Sequence, residues 1–201
     1  MKRLIATLSL LAMLTACQTS STKENPLLTE STLDYQAPDF SKIRPAHFIP
    51  AIEEGIRIQL AEIDSITSNT AAPTFENTVL AYEKSGRLLA RATSILSGLV
   101  GADGTEELQK IDEETTPMLS AHHDALLLNE KLFARIKAVY DQRSSLQGED
   151  LRLTEVLYDQ FVHEGALLSA ADKEALKKIN SEIAVLQTKF TNQVNAGTKE
   201  A

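Results

Sequence analysis

Apolar residues recur every three or four positions from about residue 46 to residue 195, with polar residues between them. This spacing is the period of one face of an α-helix. Stretches rich in Gly, Pro, Ser, Thr and Asn interrupt the pattern, and no stretch has the strict alternation of a half-buried strand. The pattern therefore predicts an all-α domain of about six helices joined by short loops.

Capping residues mark where the predicted helices begin and end. Thr74, Asn129 and Ser169 stand directly before apolar stripes, and their side chains suit the N-cap position. Pro45 suits the start of the first helix, and Gly165 suits the end of the fifth. We expect helices at about residues 46–68, 74–100, 105–127, 129–143, 149–164 and 169–195.

The last predicted helix has a regular apolar face. Its members are spaced three or four residues apart, which places them on one side of the helix. We expect this side to face the core of the domain. The residues are Leu176, Ile179, Ile183, Leu186, Phe190 and Val194.

The first seventeen residues have the layout of a bacterial lipoprotein signal. A basic start precedes an apolar run from Leu4 to Leu14, which is too short to span a bilayer as a permanent helix. Leu14-Thr15-Ala16-Cys17 resembles a lipobox, in which the signal is cut before the cysteine that carries the lipid. The alternative is an ordinary signal peptide with a cysteine there by chance. We expect a signal peptide at 1–16, a lipidated Cys17 with a flexible tether at 17–37, and a helical domain at 38–201.

Composition and charge limit the classes of partner. The net charge of −8 argues against nucleic-acid binding, which needs clustered Lys and Arg. Cys17 is the only cysteine in the sequence, so an intramolecular disulfide is impossible. Gln18 follows it, and in Gram-negative lipoproteins the lack of Asp at that position favours the outer membrane, facing the periplasm. We expect a monomer attached to a membrane through its lipid.

His163 and Glu164 are the first two residues of a His-Glu-x-x-His zinc motif, but Leu167 stands at the fifth position. Asp159 shares a helix face with His163. That makes two ligands where a zinc site needs about three. We therefore interpret His163 as a surface histidine near a helix end, where its positive form favours the helix dipole.

The other histidines are weaker candidates. His122 falls on the apolar stripe of its helix and is interpreted as a core histidine bonded to backbone, whereas His123 faces elsewhere. His47, at the start of the first helix, suits packing or capping. The sequence has no G-x-S-x-G and no phosphate-binding glycine loop. The residues alone thus indicate a helical lipoprotein with no visible catalytic, cofactor or metal site, and with Cys17 as its lipid-attachment residue.

Four segments, in order, resemble the amino-terminal half of the thimet-oligopeptidase family of zinc metallopeptidases, in its bacterial peptidyl-dipeptidase and oligopeptidase A branch. The resemblance covers nearly everything from Asp39 to about Asn195. The segments are "PDFSKIRPAHFIPAIEEGI" from Pro38, "PTFENTVLAYEKSGRLLAR" from Pro73, "PMLSAHHDALLLNEKLFARIKAVYDQR" from Pro117 and "LYDQFVHEGALLSAADKEALKKINSEIAVLQTKF" from Leu157.

The resemblance implies a fold and an activity. The fold would be the amino-terminal wall of a mostly helical, clam-shaped enzyme, whose channel admits short peptides and has zinc on its floor. The activity would be release of dipeptides from peptide carboxy termini by a zinc-bound water that the motif glutamate activates. The family's His-Glu-x-x-His lies in its carboxy-terminal half, so no zinc ligand or catalytic residue carries over to this chain.

Two hypotheses follow. The first is the amino-terminal portion of a lipid-anchored zinc peptidyl-dipeptidase, which is inactive by itself and binds no zinc. The alternative is a non-catalytic helical lipoprotein that serves as a peptide-binding or scaffold module. We favour the first, because an isolated half-wall should expose the apolar face that meets the rest of the enzyme.

Overall fold

Long helices joined by short connections make up the computed structural model, which describes residues 25–200 apart from the side chains of Asp103, Lys199 and Glu200. That range has no β-strand and six helices of twelve residues or more, so the all-α prediction of about six helices is confirmed. The predicted signal peptide and Cys17 lie outside the described residues. The helices are α1 (Phe48–Thr67), α2 (Leu80–Glu83), α3 (Arg87–Asp103), α4 (Glu106–Leu127), α5 (Glu130–Asp141), α6 (Gly148–His163) and α7 (Ala170–Glu200).

The predicted caps form as expected. Thr74 Oγ1 accepts a hydrogen bond from Asn77 N at 3.2 Å, and Asn129 Oδ1 accepts one from Leu132 N at 3.0 Å. Before α7, Ser169 Oγ accepts a hydrogen bond from the backbone N–H of residue 172 at 3.2 Å. These side chains pair amide groups that the first turn of a helix leaves without an intrahelical partner.

The second predicted helix is not continuous. A π-helical turn at Phe75–Val79 leads into the short α2, and the chain breaks before α3 begins at Arg87. Gly86 adopts φ +70, a left-handed conformation that ends a helix, and its N–H donates to Glu62 Oε2 of α1 at 2.8 Å. A contact with another helix therefore fixes the break.

The predicted flexible tether is wrong for the part that the structure describes. Leu27 is 1% exposed and belongs to a buried apolar cluster. Asn25 Nδ2 donates to the carbonyl of His47 at 2.8 Å, and Arg91 donates to the carbonyl of Leu27 at 2.9 Å. The folded body thus includes Asn25 and Leu27, ahead of the predicted boundary at Pro38, because a buried leucine and two backbone carbonyls anchor the segment.

The core consists of two apolar clusters, and α1 contributes to both. The first half of α1, with Phe48 and Ile52, packs with the amino-terminal segment, α3 and the start of α4. The second half, with Ile63 and Ile66, packs with the π-helical turn, the end of α4, α5 and α6. Since α1 runs through both clusters, its position relative to α3 fixes the arrangement of the whole body.

A close backbone contact lies where α1 meets α3. A Cβ on Gly55 would stand 2.8 Å from Leu89 Cα, a distance that real Cβ atoms do not adopt. Gly98 of α3 differs, because a Cβ there would meet nothing within 4 Å. A glycine is therefore required at 55 and is replaceable at 98.

In the described part of the chain, α7 makes its substantial helix contacts with α4 alone. The prediction that its apolar stripe faces the core is wrong, because Ile179, Ile183, Leu186, Phe190 and Val194 are 45–67% exposed. The side of α7 that meets α4 is polar instead, with Asn180 and Thr188 bonded across the contact. None of the helices in residues 25–200 is both long and apolar enough to cross a membrane.

Gly55→Ala should destabilise the protein, whereas Gly98→Ala should stabilise it. Overpacking at the α1–α3 contact costs about 1–3 kcal/mol, but alanine at an unhindered helical site gains about 0.5–1 kcal/mol over glycine. Urea denaturation of both variants beside the wild type would measure the two free energies of unfolding. Equal stabilisation by both substitutions would contradict the close approach of the two helices.

Candidate functional site

An open groove of about 390 Å³ runs between α4 and α7 beside the end of α6. Side chains able to bind a ligand or take part in chemistry meet there from distant parts of the chain. Seven of its ten lining residues have polar side chains, and Leu119, Ile183 and Ala184 add apolar surface. The polar lining is Thr116, Ser120, His123, Glu164, Asn180, Gln187 and Thr188.

Hydrogen bonds hold α7 antiparallel to α4, and the groove lies between these two helices. Asn180 Nδ2 donates to Oδ1 of the buried Asp124 at 2.7 Å. Further along, the hydroxyls of Thr116 and Thr188 lie 2.9 Å apart, and Asn192 Nδ2 donates to a carboxylate on α4 at 2.9 Å. A carboxylate as buried as that of Asp124 needs such a donor, because burial without one is costly.

His123 and Glu164 meet across the groove, with Nε2 and Oε2 3.6 Å apart. Both side chains are about half exposed, so water screens this ion pair and it adds little to stability. Sequence reasoning placed the two residues separately and missed the pair. No local signal would have found it, since 41 positions separate them and only the tertiary fold brings them together.

His163 is a surface residue, as predicted, and does not act together with Glu164. Its Nδ1 lies 2.8 Å from the carbonyl oxygen of Asp159, one turn earlier in α6. The carboxylate of Asp159 is not part of that contact. Among residues 25–200, no group of three or more His, Cys, Asp or Glu side chains is arranged to hold a metal ion.

His122 is buried, as predicted, but its partner is a side chain instead of the backbone. It is 7% exposed, and its Nε2 lies 2.7 Å from Gln59 Oε1 of α1. Because an amide oxygen only accepts, Nε2 carries the proton. Its Nδ1 is buried without a hydrogen-bond partner in the described part of the chain. Burial, and secondarily the charge of His123, lowers the pKa of His122 below its ordinary value.

His47 serves as a local cap. Its Nδ1 accepts a hydrogen bond from Arg44 N at 3.1 Å in the 3₁₀ turn Pro45–His47 before α1. The predicted capping role is therefore confirmed. The carbonyl of His47 also accepts the bond from Asn25 that anchors the amino-terminal segment.

Comparison with known proteins finds peptidases that match most of this chain. Dipeptidyl carboxypeptidase of Salmonella typhimurium is 44% identical over 177 residues, which is 87% of this chain and 26% of the relative. The Escherichia coli dipeptidyl carboxypeptidase is 42% identical over 180 residues, and oligopeptidase A of Salmonella typhimurium is 24% identical over 172. The chain is a homologue of these peptidases. The resemblance to the thimet-oligopeptidase family is thereby confirmed.

The homologous part is limited in extent. The chain spans about a quarter of the length of the curated relatives it matches. Residues 1–18 separately match the family model for a prokaryotic membrane lipoprotein lipid attachment site. This peptidase homologue therefore has a lipoprotein signal, which supports a lipid-anchored protein of the cell envelope.

The buried His122 should make stability depend on pH in a known direction. Its folded pKa lies below the ordinary value of 6.5, so the unfolded chain binds the proton more tightly. Stability should therefore be greatest above pH 6.5 and fall as the pH is lowered through that value. Urea denaturation at about pH 7.5 and about pH 5 measures the difference.

His122→Gln should reduce this loss of stability on acidification. His163→Gln is the matched control, because it removes an exposed histidine at the end of α6. It should retain most of the loss of stability on acidification, because an exposed charge at a helix end contributes little. If both variants keep the full pH dependence, His122 is not the residue responsible.

Proposed function

We propose that this chain is the amino-terminal portion of a lipid-anchored zinc metallopeptidase that releases dipeptides from the carboxy termini of short peptides. The observation that carries the proposal is the 44% identity to a dipeptidyl carboxypeptidase over 87% of the chain. Identity to oligopeptidase A is 24% over a similar length, which favours the dipeptide-releasing branch.

The catalytic metal belongs, in this proposal, to the part of the enzyme outside the matched quarter. Zinc when bound would supply a water activated for attack on the peptide carbonyl. The groove contributes one histidine and one carboxylate, His123 and Glu164, whereas catalytic zinc sites use about three protein ligands. These residues do not fit the metal, and we assign no zinc ligand and no catalytic residue to this chain.

Cys17 is the proposed lipid-attachment residue. It stands within the stretch that matches the lipoprotein attachment model, and Gln18 after it favours the outer membrane with the domain facing the periplasm. Acyl chains hold a protein firmly, since each buried methylene adds about 0.8 kcal/mol. The proposed enzyme would therefore act on peptides in the cell envelope.

The anchor would hold the folded body close to the membrane. Asn25 is already bonded to the α1 region, and it stands only eight positions after Cys17. A fully extended chain of that length reaches at most about 29 Å. Asn25 would therefore lie within about 29 Å of the lipid surface, which suits an enzyme acting on peptides near that surface.

Cys17→Ser should abolish lipid attachment. When the gene is expressed in a Gram-negative host fed an alkyne-tagged fatty acid, the wild type should be labelled and fractionate with membranes. The variant should be unlabelled, whereas the matched control Ser21→Ala should behave as the wild type. Labelling of the Cys17→Ser protein would contradict the assignment.

Residues 25–200 should function in place of the matched quarter of Salmonella typhimurium dipeptidyl carboxypeptidase. We expect this chimera to release dipeptides at a rate within about tenfold of the relative's. A misfit that raises the activation free energy by about 1.4 kcal/mol lowers the rate tenfold. Mass spectrometry of peptide products would measure this, with a chelator to remove the metal. The 201-residue chain alone should release none and bind no stoichiometric zinc.

Two results would contradict the proposal. One is dipeptide release or one-to-one zinc binding by the 201-residue chain alone. The other is a folded but inactive chimera together with saturable peptide binding by the lone chain, which would favour the peptide-binding or scaffold module.

A further inference from the structure

The stripe on α7, which consists of Ile179, Ile183, Leu186, Phe190 and Val194, is a large apolar surface without a partner in the described part of the chain. Its side chains are 45–67% exposed, and Phe190 is the most exposed of them. Soluble proteins rarely leave a contiguous apolar patch of this kind uncovered unless it binds something.

The stripe continues beyond its amino-terminal end. Leu176 is half-buried and lies beside Gly165, next to Leu168, which is itself 42% exposed. On the other side, Ile183 borders the groove between α4 and α7. The apolar surface is therefore continuous from the α6–α7 connection to the later turns of α7.

The packing of α7 on α4 leaves the stripe free. Asn180, Thr188 and Asn192 make the contacts with α4. On a helix of 3.6 residues per turn, the centre of the stripe lies roughly two fifths of a turn from these residues. A partner is able to cover the stripe without displacing α4.

The spacing of the stripe suits a helical partner. Leu176, Ile179, Ile183, Leu186 and Phe190 follow one another by three, four, three and four residues, the a and d positions of a heptad. The stretch from Ile179 to Val194 is about 22 Å long at the rise of an α-helix. A seam of this width and length accepts one amphipathic helix of about four turns.

We infer that the α7 stripe docks an amphipathic helix from the portion of a dipeptidyl carboxypeptidase-type enzyme that lies outside the matched quarter. The inference rests on the proposed function. About three quarters of each dipeptidyl carboxypeptidase relative is outside the match, so a large polypeptide is available to supply the helix. α7 is thus the element that joins the wall to the catalytic portion.

The charges around the stripe support a protein partner over a lipid surface. Exposed Glu182 and Lys189, which have opposite charges, lie along one side of it. Helices that lie on membranes usually have a polar face rich in Lys and Arg, but that of α7 also contains Asp172 and Glu174. A rim of mixed charges around an apolar centre is typical of a protein interface.

The first part of the test uses Leu186→Glu and Ser181→Glu, which each add one carboxylate to an exposed position of α7. In the 201-residue chain, both variants should unfold at the wild-type temperature, because neither side chain belongs to the core. A selective loss of stability of Leu186→Glu in the lone chain would place the stripe in its own core and overturn the inference.

The second part introduces the same variants into the chimera with Salmonella typhimurium dipeptidyl carboxypeptidase. Leu186→Glu should lower the melting temperature by about 5 °C or more and expose α7 to limited proteolysis, whereas Ser181→Glu should do neither. Phe190→Ala, which removes apolar area without adding charge, should have a smaller effect in the same direction. Identical melting and proteolysis of Leu186→Glu and Ser181→Glu would overturn the docking.

Two further measurements distinguish other occupants. A wild-type lone chain that sediments as a dimer, with Leu186→Glu as a monomer, would assign the stripe to a second copy. Binding of the Cys17→Ser chain to vesicles of phosphatidylethanolamine and phosphatidylglycerol, lost in Leu186→Glu, would assign it to lipid. Either result overturns the inference.

Failure of the inference and failure of the proposed function have different signatures. A chimera that is stabilised through Leu186 but releases no dipeptides contradicts the proposed activity and leaves the docking intact. A chimera that releases dipeptides, with melting and proteolysis that do not respond to Leu186→Glu, contradicts the docking alone.

Discussion

The close contact between α1 and α3 is the constraint on which the rest of the fold depends. Leu89 reaches the backbone of α1 only because Gly55 has no side chain. This contact sets the distance between the two helices, and α1 then passes through both apolar clusters. The amino-terminal segment, α4, α5 and α6 all pack against surfaces that depend on the position of α1.

The amino-terminal segment connects the proposed anchor to this framework. Leu27 enters the same cluster as the first half of α1, and Arg91 of α3 binds the carbonyl of Leu27. A pull on the anchor would therefore be transmitted to the α1–α3 pair without a long intervening linker. The proposed attachment and the core of the domain are thus mechanically coupled.

The two sides of α7 have opposite properties, and this difference gives the helix its proposed role. Its polar side satisfies the buried Asp124 through Asn180, which fixes α7 against α4 in one register. Its apolar side, including Leu186 and Phe190, then projects away from the body. A helix held rigidly by specific hydrogen bonds is well suited to present an apolar stripe to a second unit.

The sequence by itself determined the class of fold, the positions of the helix caps and the resemblance to a peptidase family. Periodicity, and cap residues such as Thr74 and Ser169, depend on local physics, so they were readable without coordinates. Only the tertiary structure decided the break at Gly86, the packing of the segment at Asn25 into the body, the His123–Glu164 pair and the direction of the α7 stripe. Each of these depends on which distant segment lies opposite. An apolar stripe has the same spacing whether it meets its own core or a separate unit, so its pattern alone does not reveal the partner.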